Sequence, residues 1–186
     1  MEEKRNFDLL TLGQVLLRLS PPNNDRLVRG DTFVKQVGGA ELNVAVGVAL
    51  LGLRTGVISK LPSHDMGSFM KGKIRSYGVS DDFFMYDDSP SARVGIYYYE
   101  NGAYPRKPKV IYDRANSSFY SLKIDEIPEK AYTASRCFHT SGITLALSPK
   151  VRETTIEMIK RFKAAGTLVS FDVNFRGNLW TGEEAK

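Results

Sequence analysis

The chain has one cysteine, Cys137, two histidines, His64 and His139, and no GxGxxG stretch in its 186 residues. A lone thiol excludes an internal disulfide and suits a reducing compartment. Two distant histidines without a cysteine cluster exclude the usual zinc-binding spacings. No apolar run approaches the roughly 20 residues that cross a bilayer. The start, MEEKRNFDLL, lacks the charged-then-apolar layout of a signal peptide. A cytoplasmic protein with no membrane partner is therefore expected. The net charge of +5 draws on Lys4, Arg5, Arg106, Lys107 and Lys109, but other basic residues are spread between acidic ones, so no nucleic-acid partner is expected. With 42% hydrophobic residues, the chain can bury a substantial core.

What is present is concentrated in Gly38 to Gly52, GGAELNVAVGVALLG. Gly38 and Gly39 allow dihedrals and close approaches that a side chain would block, and Asn43, one turn into the helix, both donates and accepts. Beyond it, Val44, Ala45, Val46, Val48, Ala49, Leu50 and Leu51 leave no polar face, so the helix is expected to be covered on most sides. Gly52 is its expected stop.

Phe7 to Leu19 reads as a buried strand interrupted at Gly13, and Thr32 to Val37 as a second strand. Gly56 to Leu61 is a short apolar run. The helix after it places Met66, Phe69, Met70, Ile74 and Tyr77 at helical spacing and stops at Gly78, with Ser63 or Asp65 as its expected cap. Phe83 to Tyr86, Ala92 to Glu100 and Lys109 to Arg114 then follow without an intervening helix, which predicts a small antiparallel sheet rich in tyrosine and valine. Helical spacing returns at Ile127 to Ala134. Arg136 to Thr140 reads as a strand, Ser148 and Pro149 open a helix that Gly166 ends, and Thr167 to Val173 is the last strand. Strands alternating with helices predict parallel β-α-β units, hence an α/β layered sheet with helices on both faces and a small β element beside it. Ligands of such sheets bind beyond the carboxyl ends of the strands, where Asp172, Asn174 and Arg176 fall.

Several motifs have a plainer explanation than chemistry. Gly67 to Lys73 has P-loop spacing, but Ile74 stands where a hydroxyl would hold magnesium, and the stretch lies inside a helix, so its lysines form a solvated face. Cys137 and His139 share one side of a strand, a nucleophile hypothesis that lacks an orienting third group; a buried structural thiol is the commoner case. Tyr112 and Arg114 share a strand face, as do Tyr97 and Tyr99, placing hydroxyls beside a guanidinium that could grip a carboxylate.

GGAELNVAVGVALLG resembles the first signature of the PfkB (ribokinase-like) carbohydrate kinases, and Asp172-Val173-Asn174-Phe175-Arg176 resembles their DxNxR segment. LGQVLLRLSPP at Leu12 to Pro22, RVGIYYYENGAYPRKPKVIYDRANS at Arg93 to Ser117 and NLWTGEEA at Asn178 to Ala185 make the branch similar to 2-keto-3-deoxygluconate kinases. The resemblance implies residues 1–186 to be the amino-terminal part of one Rossmann-like (ribokinase-like) domain, with lid strands within about 14–37 and 90–116. It implies an ATP-dependent sugar-acid kinase using Mg2+, a homodimer built through the lid, and a sugar acid held by Gly38, Gly39, Asn43, Tyr97, Tyr112 and Arg114. Arg176 would contact substrate and the transferred phosphate, and Asn174 would lie toward the nucleotide phosphates. Gln14 stands where relatives commonly carry Glu. The family's Gly-Ala-Gly-Asp turn, with its general-base aspartate, does not occur in these residues, so no catalytic residue is assigned here. Thr181 and Glu184 have capping-box spacing, which starts a helix with only Ala185 and Lys186 left to form it, and predicts a chain cut within a larger domain. Rival readings are a fructokinase or other ketose kinase, a non-catalytic sugar-binding or dimerising module, and a thiol hydrolase at Cys137.

Overall fold

Alternating apolar positions set the layers. In the computed structural model, which describes residues 5–185, strand β1 (Phe7–Leu12) sends Leu10 and Leu12 to one face of the central sheet. In β4 (Thr55–Pro62), Ile58 joins that face while Val57 and Leu61 point to the other. Both faces of these strands are buried, so both must be covered. Helices α1 (Ala40–Leu50) and α2 (Asp65–Ser76) cover one face with Leu42, Ala45, Met70 and Ile74. Helices α3 (Lys130–Thr133) and α5 (Pro149–Ala164), with the 3-10 turns at Ser118–Ser121 and Ile124–Glu126, cover the other with Phe119, Leu122, Ala131, Met158 and Phe162. The central sheet runs β5-β4-β1-β8-β9, where β5 is Val79–Asp87, β8 Ser135–Ser141 and β9 Leu168–Asp172, and every pair in it is parallel. This is the expected α/β sheet with helices on both faces.

A second sheet stands apart from the first. It runs β3-β2-β6-β7, with β2 Leu16–Ser20, β3 Val34–Gly38, β6 Gly95–Glu100 and β7 Lys109–Asp113. Its outer pairs are antiparallel but the central β2-β6 pair is parallel, so it is mixed rather than wholly antiparallel. Phe83 to Tyr86 does not belong to it. Those residues lie in β5 at the edge of the central sheet, with Phe83 in one core and Phe84 in the other. The absence of a helix between β5 and β6 groups them in sequence, whereas burial on both faces ties β5 to β4. Likewise Phe7 to Leu19 is two strands in different sheets, parted at Gly13, Gln14 and Val15.

Three local expectations change. Helix α1 is not covered on most sides: Leu50 and Leu51 are 80% and 79% exposed, and Val44 also faces outward. An apolar helix without a polar stripe carries no mark of which side packs. His64, not Ser63 or Asp65, caps α2, its Nδ1 accepting from the Met66 N–H at 3.2 Å. A short helix, α4 (Gly142–Ala146), capped by Ser141, had no sequence signal of its own. The glycine stops at Gly78 and Gly166 do appear, with φ of 77° and 71°. Lys4 and Lys186 fall outside the described residues. The Thr181–Glu184 capping box is formed, with the Thr181 N–H donating to Glu184 at 2.8 Å and the Glu184 N–H to the Thr181 hydroxyl at 3.3 Å.

The largest side chains of the core meet at α5. Phe162 stacks on Phe138 with ring centroids 4.0 Å apart and meets Tyr132 edge-on at 5.1 Å. Both phenylalanines are fully buried. Phe162→Ala is expected to cost about 3–5 kcal/mol in urea unfolding, from lost burial and an unfilled cavity.

Candidate functional site

Where β1 leaves the central sheet, residues Gly13 to Val15 carry the chain up into β2, and Gln14 is 3% exposed in that turn. The mouth of α1 packs directly against it. Gly39, the N-cap of α1, has φ of 149°, and a Cβ placed there would lie 2.7 Å from the Gln14 carbonyl oxygen. Neither the dihedral nor the approach admits a side chain. Gly38, the last residue of β3, is buried against Tyr97, and a Cβ there would meet the tyrosine hydroxyl at 2.5 Å. The two glycines thus bring β3, β6 and α1 together around one point. No side chain caps α1, whose first residues Ala40 and Glu41 border the same space.

That space is a cavity of about 270 Å³ between the two sheets, lined by Gly39 and Asn43 from α1, Tyr97 and Tyr112 from the smaller sheet, Arg114 just beyond β7, and Arg176 from the loop after β9. Gln14, Glu41, Tyr99 and Ile143 also border it. Tyr97 and Tyr112 are cross-strand partners with ring centroids 5.9 Å apart, and the Arg114 guanidinium lies 5.6 Å over the Tyr112 ring. Burial raises the pKa of the Tyr97 hydroxyl, so it stays a neutral donor and acceptor. Burial also draws the Arg114 pKa down, opposed by Tyr120, Tyr112 and Glu41, yet a guanidinium remains charged.

Of the residues singled out by sequence, Gly39, Asn43, Tyr97, Tyr112, Arg114 and Arg176 converge on the cavity. Gly38 sits beneath Tyr97 and does not line it. Asn174 is also off the lining: it takes φ of 37° in the loop after β9, its N–H donating to the Asp172 carboxylate at 2.9 Å. Gln14, Ile143 and Arg176 come from the segments that follow β1, β8 and β9, so the cavity lies beyond the carboxyl ends of those strands, where ligands of parallel sheets bind.

Two further residues had no assigned role. Glu41 is 1% exposed, and its Oε1 accepts from the Ser141 hydroxyl at 2.5 Å and the Thr144 hydroxyl at 2.8 Å. A carboxylate one residue into an apolar helix is the available signal, because a buried carboxylate must find donors. Its donors lie 100 and 103 positions away, beyond any spacing rule. Gln14 is the second. Its Oε1 accepts from Arg114 Nε at 2.7 Å, and its Nε2 donates to the Arg114 carbonyl at 3.1 Å and to the Ser117 hydroxyl at 2.6 Å.

The thiol and imidazole do not form a pair. His139 Nδ1 shares a hydrogen bond of 3.0 Å with Ser170, and burial lowers its pKa. Cys137 is half-buried, and its thiol makes a long approach to the Phe138 carbonyl. The P-loop-like segment lies within α2, where Lys71 pairs with Asp81 at 3.6 Å. Among the described residues no three His, Cys, Asp or Glu side chains gather as a metal cage, and no helix is long and apolar enough to cross a membrane. A magnesium ion carried on nucleotide phosphates needs no such cage.

The two sheets define an α/β domain with a polar cavity between them, lined by hydroxyl, amide and guanidinium groups. Residues 6–186 match the pfkB family carbohydrate kinases, and the chain belongs to that family. It is 38% identical to a 2-dehydro-3-deoxygalactonokinase from Haloferax volcanii, over 96% of this chain and 55% of the relative. Among solved structures it resembles a 2-dehydro-3-deoxygluconokinase from Thermotoga maritima, with a TM-score of 0.89 and 38% identity over 95% of this chain and 53% of that one. It also resembles a sugar kinase from Pyrococcus horikoshii in complex with ATP, with a TM-score of 0.81 and 26% identity over 95% and 56% of the two chains. The chain spans about half the length of these relatives.

Burial raises the pKa of the Cys137 thiol, so less thiolate is present at pH 8 than in a free cysteine. Native protein is expected to react with iodoacetamide at pH 8 at least about tenfold more slowly than urea-unfolded protein. Equal rates would revive the nucleophile reading.

Proposed function

We propose that the whole protein phosphorylates a six-carbon sugar acid, 2-keto-3-deoxygluconate, at the expense of ATP, and that residues 1–186 supply its sugar site. The observation that carries this reading is the convergence of Arg114 with Tyr97, Tyr112 and Asn43 on one cavity at the strand ends. A guanidinium among neutral hydroxyl and amide groups suits a ligand with one carboxylate and several hydroxyls. The names of the similar kinases from Haloferax volcanii and Thermotoga maritima point to substrates of that class, two sugar acids epimeric at C4.

In this reading Arg114 binds the substrate carboxylate, while Asn43, Tyr97 and Tyr112 hold hydroxyls. Gly38 contributes by admitting Tyr97, and Gly39 by bringing the helix mouth to the ligand. Arg176, on the far side of the cavity, meets both sugar and the phosphoryl group in transfer, and Asn174 lies toward the nucleotide. Phosphoryl transfer relies on positioning and charge stabilisation, which these residues supply for the acceptor. The general base that takes the hydroxyl proton is assigned to an aspartate outside residues 1–186, together with most of the ATP and Mg2+ contacts. The four-stranded sheet acts as the lid, and its exposed Val34, Val110 and Ile111 suit a homodimer built through it. A cytoplasmic location fits the same reading.

Steady-state kinetics of the whole protein with ATP should give a kcat/KM for 2-keto-3-deoxygluconate at least about tenfold above that for fructose, the worth of one charged hydrogen bond. The C4 epimer, 2-keto-3-deoxygalactonate, distinguishes the two sugar acids in the same assay. Absence of any preference for a sugar acid overturns the proposal. Arg114→Ala is expected to raise KM for the sugar acid about 10- to 100-fold with little change in KM for ATP.

A further inference from the structure

A second cleft, of about 460 Å³, opens beyond the carboxyl ends of β4 and β5. Lys60 from β4, Ser91 from the loop after β5, Asn116 and Tyr120 from the segment after β7, Lys123, and Lys150 at the start of α5 line it. None of these six borders the cavity that holds Arg114. The two spaces share a wall: Ser117, which also lines the cleft, accepts from the Gln14 amide at 2.6 Å, and the Tyr120 phenol lies near enough to Arg114 to feel its charge.

Three lysines face two carboxylates in the lining, an excess of one positive charge. The carboxylates are engaged within the wall. Glu126 accepts from Lys60 Nζ at 2.6 Å with one oxygen and from the Lys123 N–H at 2.8 Å with the other. Asp87 accepts from the Ser89 N–H at 3.1 Å; burial works against its charge, but the Ser89 and Ser118 hydroxyls and Lys60 hold its pKa below the usual carboxylate range. Lys60, whose side chain is 8% exposed, is therefore balanced inside the wall. Lys123 and Lys150 are exposed and enter no ion pair among the described residues. Lys150 is the second residue of α5, a helix of 16 residues with no acidic side chain in its first turn, so the positive end of its dipole adds to the same potential.

We propose that this cleft is a second, non-catalytic site that takes a phosphorylated sugar acid, and that its occupant weakens sugar-acid binding through Arg114. Two unpaired ammonium groups suit a phosphate, and the Ser91, Asn116 and Tyr120 groups suit the hydroxyls of the chain that carries it. The volume is that of a small-molecule site and far exceeds a bare phosphate ion. An anion seated on the Tyr120 side of the wall attracts Arg114, so the guanidinium has less to offer a substrate carboxylate on its other side. The choice of a phosphorylated sugar acid rests on the sugar-acid reading above, whose product it is; the charge of the cleft does not.

The test uses the whole protein, 6-phosphogluconate as the probe, and a Lys123→Ala, Lys150→Ala double variant, whose exposed positions lie outside the cavity. In calorimetry with 2-keto-3-deoxygluconate and a non-hydrolysable ATP analogue saturating the active site, one probe molecule is expected to bind per wild-type chain. The double variant is expected to keep the wild-type melting temperature and kcat and to bind the probe at least about tenfold more weakly. In steady-state kinetics at saturating probe, KM for the sugar acid should be about fivefold higher in wild type than in the double variant, with kcat the same. No binding beside a filled active site, or equal affinity in the double variant, overturns the site. Equal KM in the two proteins at saturating probe overturns its link to Arg114. A wild-type protein without preference for a sugar acid fails the sugar-acid reading instead, while the difference in probe affinity between wild type and double variant, measured without sugar, still decides the cleft.

Discussion

The contact between the Gln14 carbonyl and Gly39 is the constraint on which the arrangement of this domain depends. Gln14 sits where the chain passes from the central sheet to the smaller one, and Gly39 sits where it passes from the smaller sheet back to a helix of the central layer. Pressing these two transitions together fixes the angle between the sheets. It also places the open N-terminus of α1 beside Tyr97 and Arg114, which arrive from strands far along the chain. A larger residue at position 39 would push the helix mouth from the turn, and with it every group that the cavity gathers.

The electrostatics of the cavity follow from the same packing. Two charged groups of opposite sign, Glu41 and Arg114, lie at its floor and its roof, yet each is satisfied by neutral partners: hydroxyls of Ser141 and Thr144 for one, the Gln14 amide for the other. Buried ions cost much less when hydrogen-bonded than when bare. Because the partners are neutral, neither charge is cancelled. The carboxylate ties α1 to the end of β8 and the start of α4, giving rigidity below, while the guanidinium above remains available to a ligand.

Most of the central sheet was legible in the sequence because its strands and helices alternate and their apolar periods differ. The candidate site was legible where a motif is contiguous: Gly38, Gly39 and Asn43 stand within six residues at the mouth of α1, and Tyr112 and Arg114 two apart at the end of β7. Partnerships across the chain were not. Gln14 meets Arg114 from 100 positions away, and Glu41 meets Thr144 from 103. Nothing in their local spacing marks them. The misplacing of Phe83 to Tyr86 has the same origin, since a strand's sheet is decided by its burial on two faces, which short apolar runs do not reveal. The bare outer side of α1 was hidden because its residues are apolar all round.

The parallel pairing of β2 with β6 has a consequence for how the molecule comes to be folded. Antiparallel neighbours joined by a hairpin can zip from a turn, but these two central strands of the smaller sheet are separated by β3, α1, β4, α2 and β5. Their meeting closes a long loop, so its entropy cost is recovered only once the intervening units have packed. The smaller sheet is thus a late structure laid over an earlier one. On a ribosome, the mouth of α1 would emerge before the roof residues Tyr97, Tyr112 and Arg114, and the β8 and α4 hydroxyls that brace it only after them.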